Sequence, residues 1–171
     1  MQDPKNITVY AANCRGNPTN CLYPHRIEIT DESSAAEAFS RDIVCAEYKN
    51  NYRNIDNFLI SNALSEDCDN DHSDDPSQWV YTKDVFNFFT GVTCIIHYSR
   101  HHMKPKGDKS ARPRFHVILL IDPMTDPEGY AQLKKRVAEV FPFFDPGAMD
   151  AARFFFGTEK PEVEYHPGIL H

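Results

Sequence analysis

Phe58-Leu59-Ile60-Ser61-Asn62-Ala63-Leu64-Ser65-Glu66-Asp67-Cys68-Asp69-Asn70-Asp71 is the stretch whose reading decides the fold. Its first half is a mixed apolar run that suits a strand, and its second half is acidic. Side chains alternate across a strand with period two, so Asp67 and Asp69 leave the same face, about 7 Å apart at their Cα atoms. Carboxylates that close repel unless something cationic sits between them, and they can share one or two divalent cations. The spacing predicts a metal site at a strand end. A calcium loop counted from Asp67 needs Gly at its sixth position and Glu at its twelfth, where the sequence has His72 and Gln78, so that template fails. The bland alternative is a solvated acidic turn, because Asp and Asn favour turns. A basic, His-bearing segment downstream and a further isolated Asp favour the site.

The chain has 171 residues, a length that suits one domain with a sizeable core. Residues 1–171 are read as that single domain. No apolar run approaches the roughly 20 residues of a membrane helix, and Met1-Gln2-Asp3-Pro4-Lys5 lacks the pattern of a signal peptide. A cytoplasmic protein without membrane partners is expected. The five cysteines are odd in number and none are spaced as in a zinc knuckle, so reduced thiols fit that setting. The net charge of −7 argues against a protein that merely coats nucleic acid. Charge is unevenly spread: Glu66, Asp67, Asp69, Asp71, Asp74 and Asp75 are followed by Arg100, Lys104, Lys106, Lys109, Arg112 and Arg114. An acidic site facing a basic segment is what a metal–triphosphate site needs.

Periodicity predicts strands at Ile7-Thr8-Val9-Tyr10 and Arg26-Ile27-Glu28-Ile29, then a helix capped by Asp31 or Ser33. Ala35, Phe39, Ile43 and Ala46 carry that helix to about Tyr48. After the acidic strand come a short helix from Thr82 to Phe89 and a strand over 92–98. Residues 99–113 are read as a Lys/Arg/His loop, and 114–121 as a strand forming a long hairpin with 92–98. Both are expected beside the acidic strand. Asp126-Pro127-Glu128 opens the clearest helix, a strand follows at 153–157, and residues 158–171 look peripheral. The order β-β-α-β-α-β-β-α-β predicts an α+β fold, a mostly antiparallel sheet with helices packed on it.

Three further positions carry chemistry. His116 shares a strand face with Arg114, and such a pair suits phosphate oxygens. Asp150 is read as a third carboxylate completing the site begun by Asp67 and Asp69. Two-metal nucleotidyl transfer needs such a set, one ion activating the attacking hydroxyl and the other holding the triphosphate. Arg153 is placed to reach the same phosphates.

Asp67-Cys68-Asp69 at a strand end, Arg114-Phe115-His116, and Met149-Asp150 resemble, in this order, the three motifs of the archaeo-eukaryotic primase superfamily. Ser99-Arg100-His101-His102-Met103-Lys104, Ala111-Arg112-Pro113-Arg114-Phe115-His116-Val117 and Asp150-Ala151-Ala152-Arg153-Phe154-Phe155-Phe156-Gly157 resemble primase-polymerase domains of bacteriophages and mobile elements, over about residues 7–168. The family's second motif usually has Ser two places before the His, where this sequence has Arg114. The resemblance implies an RNA-recognition-type (RRM-like) catalytic core that belongs to a larger replication protein, with a helicase or other domain as partner. It implies DNA primase or polymerase activity on a DNA template and primer, using nucleoside triphosphates. Asp67, Asp69 and Asp150 would hold two Mg2+ or Mn2+ ions. His116, Arg114, Arg112, Lys104 and Arg153 would contact the nucleotide, and Arg100, His101 and His102 the DNA.

Two rivals belong to other classes. A non-catalytic RRM-like nucleic-acid-binding module would stack bases on exposed sheet aromatics, and Asp150 far from Asp67 would favour it. A replication-initiation nuclease would use Tyr98 with His101 and His102, but adjacent strand histidines point to opposite faces and chelate poorly.

Overall fold

The computed structural model describes residues 6–147 and 149–168, so the expectations for residues 1–5 and 169–171 lie outside it. β1 (Ile7–Ala11) and β2 (His25–Ile29) open the chain as an antiparallel pair. α1 (Glu32–Phe39) follows, capped by Asp31: its carboxylate accepts the Ser34 N–H at 2.8 Å, and the Ser34 hydroxyl accepts the Asp31 N–H at 3.1 Å. The helix stops at Phe39, well short of Tyr48. β3 (Ile43–Val44) and β4 (Glu47–Tyr48) replace its expected second half. The cause is Asp42, a buried carboxylate that accepts the N–H groups of Gly16, Asn17 and Gly157 and so cannot sit in a helix turn. The β-branched Ile43 and Val44 then pair with β1.

β5 (Phe58–Cys68) is the acidic strand, and α2 (Thr82–Phe88), β6 (Cys94–Tyr98), β7 (Lys104–Lys106), β8 (Lys109–Arg112) and β9 (Phe115–Met124) follow. The basic segment is therefore not one open loop: β7 and β8 make a hairpin turning at Gly107, whose φ of +61° favours glycine. α3 (Pro127–Val140), capped by Asp126 with Pro at its start, β10 (Phe154–Phe155) and β11 (Val163–His166) complete the chain. β11 corrects the peripheral reading of the C-terminal stretch, since it is an edge strand on β6. The period-two signal there is weak because all four residues are only half-buried.

The strands form an antiparallel central sheet in the order β11-β6-β9-β5-β4 and a smaller one in the order β10-β3-β1-β2. This is the expected α+β class. One detail differs: only β9 lies beside β5 in that region, with β6 one strand further out. One face of the central sheet packs on α2, α3 and Phe144 through Leu64, Cys68, Ile96 and Val117. The other packs on the small sheet and α1 through Ala63, Ile95, Ile118 and Phe155. No helix of the described residues is long and apolar enough to cross a membrane. All five cysteines are free.

Glu66 faces the helical side and is wholly buried, and neither carboxylate oxygen has a hydrogen-bond partner. Burial outweighs the attraction of Lys134 and pushes its pKa from 4.5 up to about 8. A folded pKa above the unfolded one means the native state binds the extra proton, so this residue's contribution to stability is lost as pH rises from 4.5 through 8. Glu66→Gln is expected to flatten that decline. Urea denaturation at pH 5 and pH 8 checks it, an unchanged difference between the two pH values counting against the assignment.

Candidate active site

The site forms where three neighbouring strands run side by side. In the register of the central sheet His97 of β6 lies opposite His116 of β9, and His116 lies opposite Asp67 of β5. Period two puts Asp69 and Arg114 one step along on the same face. His116 Nε2 lies 3.4 Å from Asp67 Oδ1, and Arg114 Nη1 lies 3.6 Å from Asp69 Oδ1. Asp67 and Asp69 line one cavity of about 230 Å3 with His116, Arg100, Lys106 and Arg153. The Asp67–Asp69 pair, the His116–Arg114 face and the basic segment thus meet at one place.

The turn after β5 is held by polar groups rather than by apolar packing. Asn70 takes a left-handed conformation (φ +54°), which Asn tolerates better than most residues. Its buried amide donates to the carbonyls of Val80 and Pro113 at 2.9 and 2.8 Å and accepts the Val80 N–H at 2.8 Å. This ties Asp69 to the start of α2 and to the entry of β9. Asn70→Ala leaves those partners unpaired and is expected to cost about 2–4 kcal/mol of stability. Urea denaturation measures it, and a loss within experimental error rules out a bracing role.

Arg112 belongs to the same brace. It is fully buried, donates to the carbonyls of Asn70 and Ser73, pairs with Asp74 at 2.9 Å and lies over the Trp79 ring. It does not line the cavity, contrary to the nucleotide contact expected of it: the 70–74 turn consumes its donors. Arg114 is also buried, with its guanidinium between Asp69 and Asp71 (3.1 Å to Asp71 Oδ1). It neutralises acids at the cavity's edge rather than lining it.

Among the other basic residues, Arg100 and His101 line the cavity, and Arg100 lies over the Phe156 ring. His102 turns away, because its Nδ1 accepts the Arg114 N–H at 3.1 Å and its ring packs on Tyr98. Lys104 lines an adjoining cavity of about 270 Å3 that shares Ser99 and Arg100 with the first. Lys106 reaches to 3.9 Å from Asp69 Oδ2. Its role was not legible without the β7–β8 hairpin that swings it back. Arg153 pairs with Asp67 Oδ2 at 3.0 Å. The 151–154 segment that carries it is fastened by the Tyr48 hydroxyl to the Ala151 carbonyl and by Arg53 to the Ala152 carbonyl.

Asp150 is not among the residues that line the cavity of the pair. It is exposed, its carboxylate accepts the Ala152 N–H at 2.8 Å, and it lines a small cleft with Tyr48, Tyr130 and the same Arg153. Asp145 comes near Asp67 through its backbone: its N–H donates to the Asp67 carbonyl at 2.8 Å, its carboxylate accepts the Gly147 N–H at 2.8 Å, and it lines a neighbouring cavity of about 380 Å3 with Asp69. Phe144-Asp145 is an apolar-acidic pair just as Met149-Asp150 is, so the local pattern fits both positions and only the chain path separates them. His97 also escaped the sequence reading, although antiparallel pairing of its strand with His116 would have exposed it.

Burial raises the pKa of Asp67, with Arg153 opposing and Asp145 adding to the rise. Burial likewise raises Asp69, where Lys106 opposes and Asp67 adds. His116 is pushed down to about 3 by burial and then by the Arg153 charge, so its ring is neutral at physiological pH. The site is therefore a buried acid and a half-buried one, both raised by burial, beside a neutral imidazole.

Across solved structures, the chain is similar to the AEP domain (PP-N190) of the cyanophage S-2L primase-polymerase (PrimPol), with a TM-score of 0.50 and 14% identity over 99% of this chain and 86% of that one. The fold is that of an AEP primase-polymerase domain. No family model matches the chain, and no curated protein does. At such low identity the likeness speaks for the architecture, and the chemistry has to be argued from the side chains placed on the AEP fold.

Among the described residues no group of three or more His, Cys, Asp or Glu closes tightly enough to hold a metal ion by itself. The donor chemistry nevertheless fits a hard divalent cation. Mg2+ is commonly held by one or two carboxylates plus substrate phosphates and keeps several waters. The buried Asp67 and half-buried Asp69, both with raised pKa values and paired with Arg153, Lys106 and Arg114, are what such an ion would relieve. The nuclease set does not form: the Tyr98 hydroxyl is engaged with Thr82 and Glu164, and His102 points away from His101's cavity.

Proposed function

We propose that the domain is a metal-dependent nucleotidyltransferase of primase-polymerase type, adding nucleotides to a primer or a first nucleotide on a DNA template. The observation that carries this reading is the direct opposition of Asp67 and His116 on paired strands, in one cavity with Asp69 and three cationic side chains. Asp67 and Asp69 would hold Mg2+ or Mn2+ ions, with Asp145 in the role first given to Asp150. The bound ions would lower the pKa of the attacking hydroxyl and offset charge on the triphosphate and departing pyrophosphate. His116, neutral and donating through Nε2, hydrogen-bonds a triphosphate oxygen. Arg153, Arg100 and Lys106 exchange their present partners for phosphate oxygens. Arg112 and Arg114 keep the acidic turn in place.

The non-catalytic alternative needs aromatic side chains displayed on the sheet. Here Phe115 and Phe155 are buried, and Phe155 stacks on His116 with ring centroids 4.2 Å apart. The test is incorporation of labelled nucleotide on a primed single-stranded DNA template with Mn2+ or Mg2+, using ribo- and deoxyribonucleotides. Incorporation above a metal-free control supports the reading. None with either metal or either nucleotide, from folded protein, overturns it.

A further inference from the structure

His97 has no part in the reading above, yet it is wholly buried against the residue that reading depends on. Its ring stacks on Phe39 with centroids 4.3 Å apart. Its Nδ1 lies 3.1 Å from His116 Nδ1, and its Nε2 lies 3.0 Å from the Thr158 hydroxyl. The chain of contacts runs Thr158, His97, His116, Asp67.

Two proton arrangements suit the contacts among Thr158, His97 and His116, and the charge at Asp67 selects one. An ionised Asp67 carboxylate 3.4 Å from His116 Nε2 favours the hydrogen on that nitrogen. A neutral imidazole has one donor, which leaves His116 Nδ1 as an acceptor. His97 Nδ1 must then be the donor, and its own Nε2 accepts the Thr158 O–H. Nδ1 atoms 3.1 Å apart need one donor and one acceptor, which two neutral rings packed on Phe39 and Phe155 supply. The reverse arrangement would set a bare His116 Nε2 lone pair against the Asp67 carboxylate.

We infer that His97 is a positioning residue, which with Thr158 locks His116 in the tautomer whose Nε2–H points into the cavity, ready to donate to a phosphate oxygen. The inference rests on the proposed function for its phosphate, but not for its tautomer. A ring nitrogen's bonding partner sets which nitrogen of a histidine carries the proton. Free to rotate or exchange tautomers, His116 would present a lone pair to an anion part of the time.

The variants separate donor from ring. His97→Phe keeps a ring against Phe39 and removes both nitrogens. His97→Asn keeps an N–H donor close to the place of Nδ1 and loses the ring. Thr158→Val removes the hydroxyl from a half-exposed position and serves where His97→Phe does not fold. The first readout is the 15N NMR signature of His116 in the free protein, which needs no activity. The Nε2–H tautomer is expected in wild type and His97→Asn, and a tautomer mixture in His97→Phe and Thr158→Val. The second is the nucleotide KM in primer extension, expected to rise about tenfold in His97→Phe, the loss of one hydrogen bond to a charged group, and to recover in His97→Asn. An Nδ1–H tautomer of His116 in wild type, or a wild-type signature in folded His97→Phe or Thr158→Val, overturns the inference. Absent extension by the wild-type protein with the expected NMR result overturns the proposed function and leaves the positioning role standing.

Discussion

Alanine at both Asp67 and Asp69 is expected to abolish the proposed Mn2+-dependent extension of a primed DNA template, a loss on the order of 10³-fold or more, while the fold survives. The size follows from the work the proposed function asks of these acids: holding cations that offset triphosphate charge would contribute several kcal/mol to the transition state, and each 1.4 kcal/mol is a factor of ten. Survival of the fold follows from the direction of their pKa shifts. Burial raises both acids, so their ionised forms are held at a cost in the folded state. Removing them removes that cost. The cations left behind are not stranded, since Arg153 and Lys106 are partly exposed and the buried Arg114 keeps Asp71 at 3.1 Å. Thermal melting by circular dichroism should therefore place the double variant close to wild type. Undiminished extension by a folded double variant rejects the metal assignment.

What the sequence made legible were the features that depend on strand alternation. Period two puts Asp67 with Asp69 and His116 with Arg114, and the sheet register then sets one pair against the other. What stayed hidden depends on the path of the chain between strands. The Ala35–Phe39–Ile43–Ala46 spacing is helical in sequence, but Asp42 serves three backbone N–H groups from distant segments and breaks the helix. Arg112 carries the same charge as Arg114 and lies two residues away, yet it is consumed by carbonyls of a turn some 40 positions earlier. Lys106 enters the cavity only because a hairpin folds a stretch that reads as loop. Composition and spacing do not encode any of these long-range partners.

Asp145→Asn is expected to lower extension by about 10²- to 10³-fold, and Asp150→Asn to leave it within about threefold. Both acids follow an apolar residue and both precede Arg153, so the prediction turns on geometry alone. The backbone of Asp145 is docked on the acidic strand by its hydrogen bond to the Asp67 carbonyl, and the residue lines a cavity with Asp69. Its charge adds to the upward shift of both Asp67 and Glu66, which places its carboxylate within their field. Both carboxylates also close a local turn, Asp145 onto the Gly147 N–H and Asp150 onto the Ala152 N–H, each at 2.8 Å, but Asp150 does so on the exposed side of the segment. Neutralising Asp145 also lowers the Asp67 pKa, so the effect is not that of a weaker acid at Asp67 but of a missing ligand. Calorimetric titration with Mn2+ in the absence of DNA makes the distinction independent of turnover: Asp145→Asn weakens binding and Asp150→Asn does not. Should Asp150→Asn match or exceed the loss seen with Asp145→Asn, in extension and in Mn2+ binding, the third acid is the exposed one and the 145–153 segment must rearrange to deliver it.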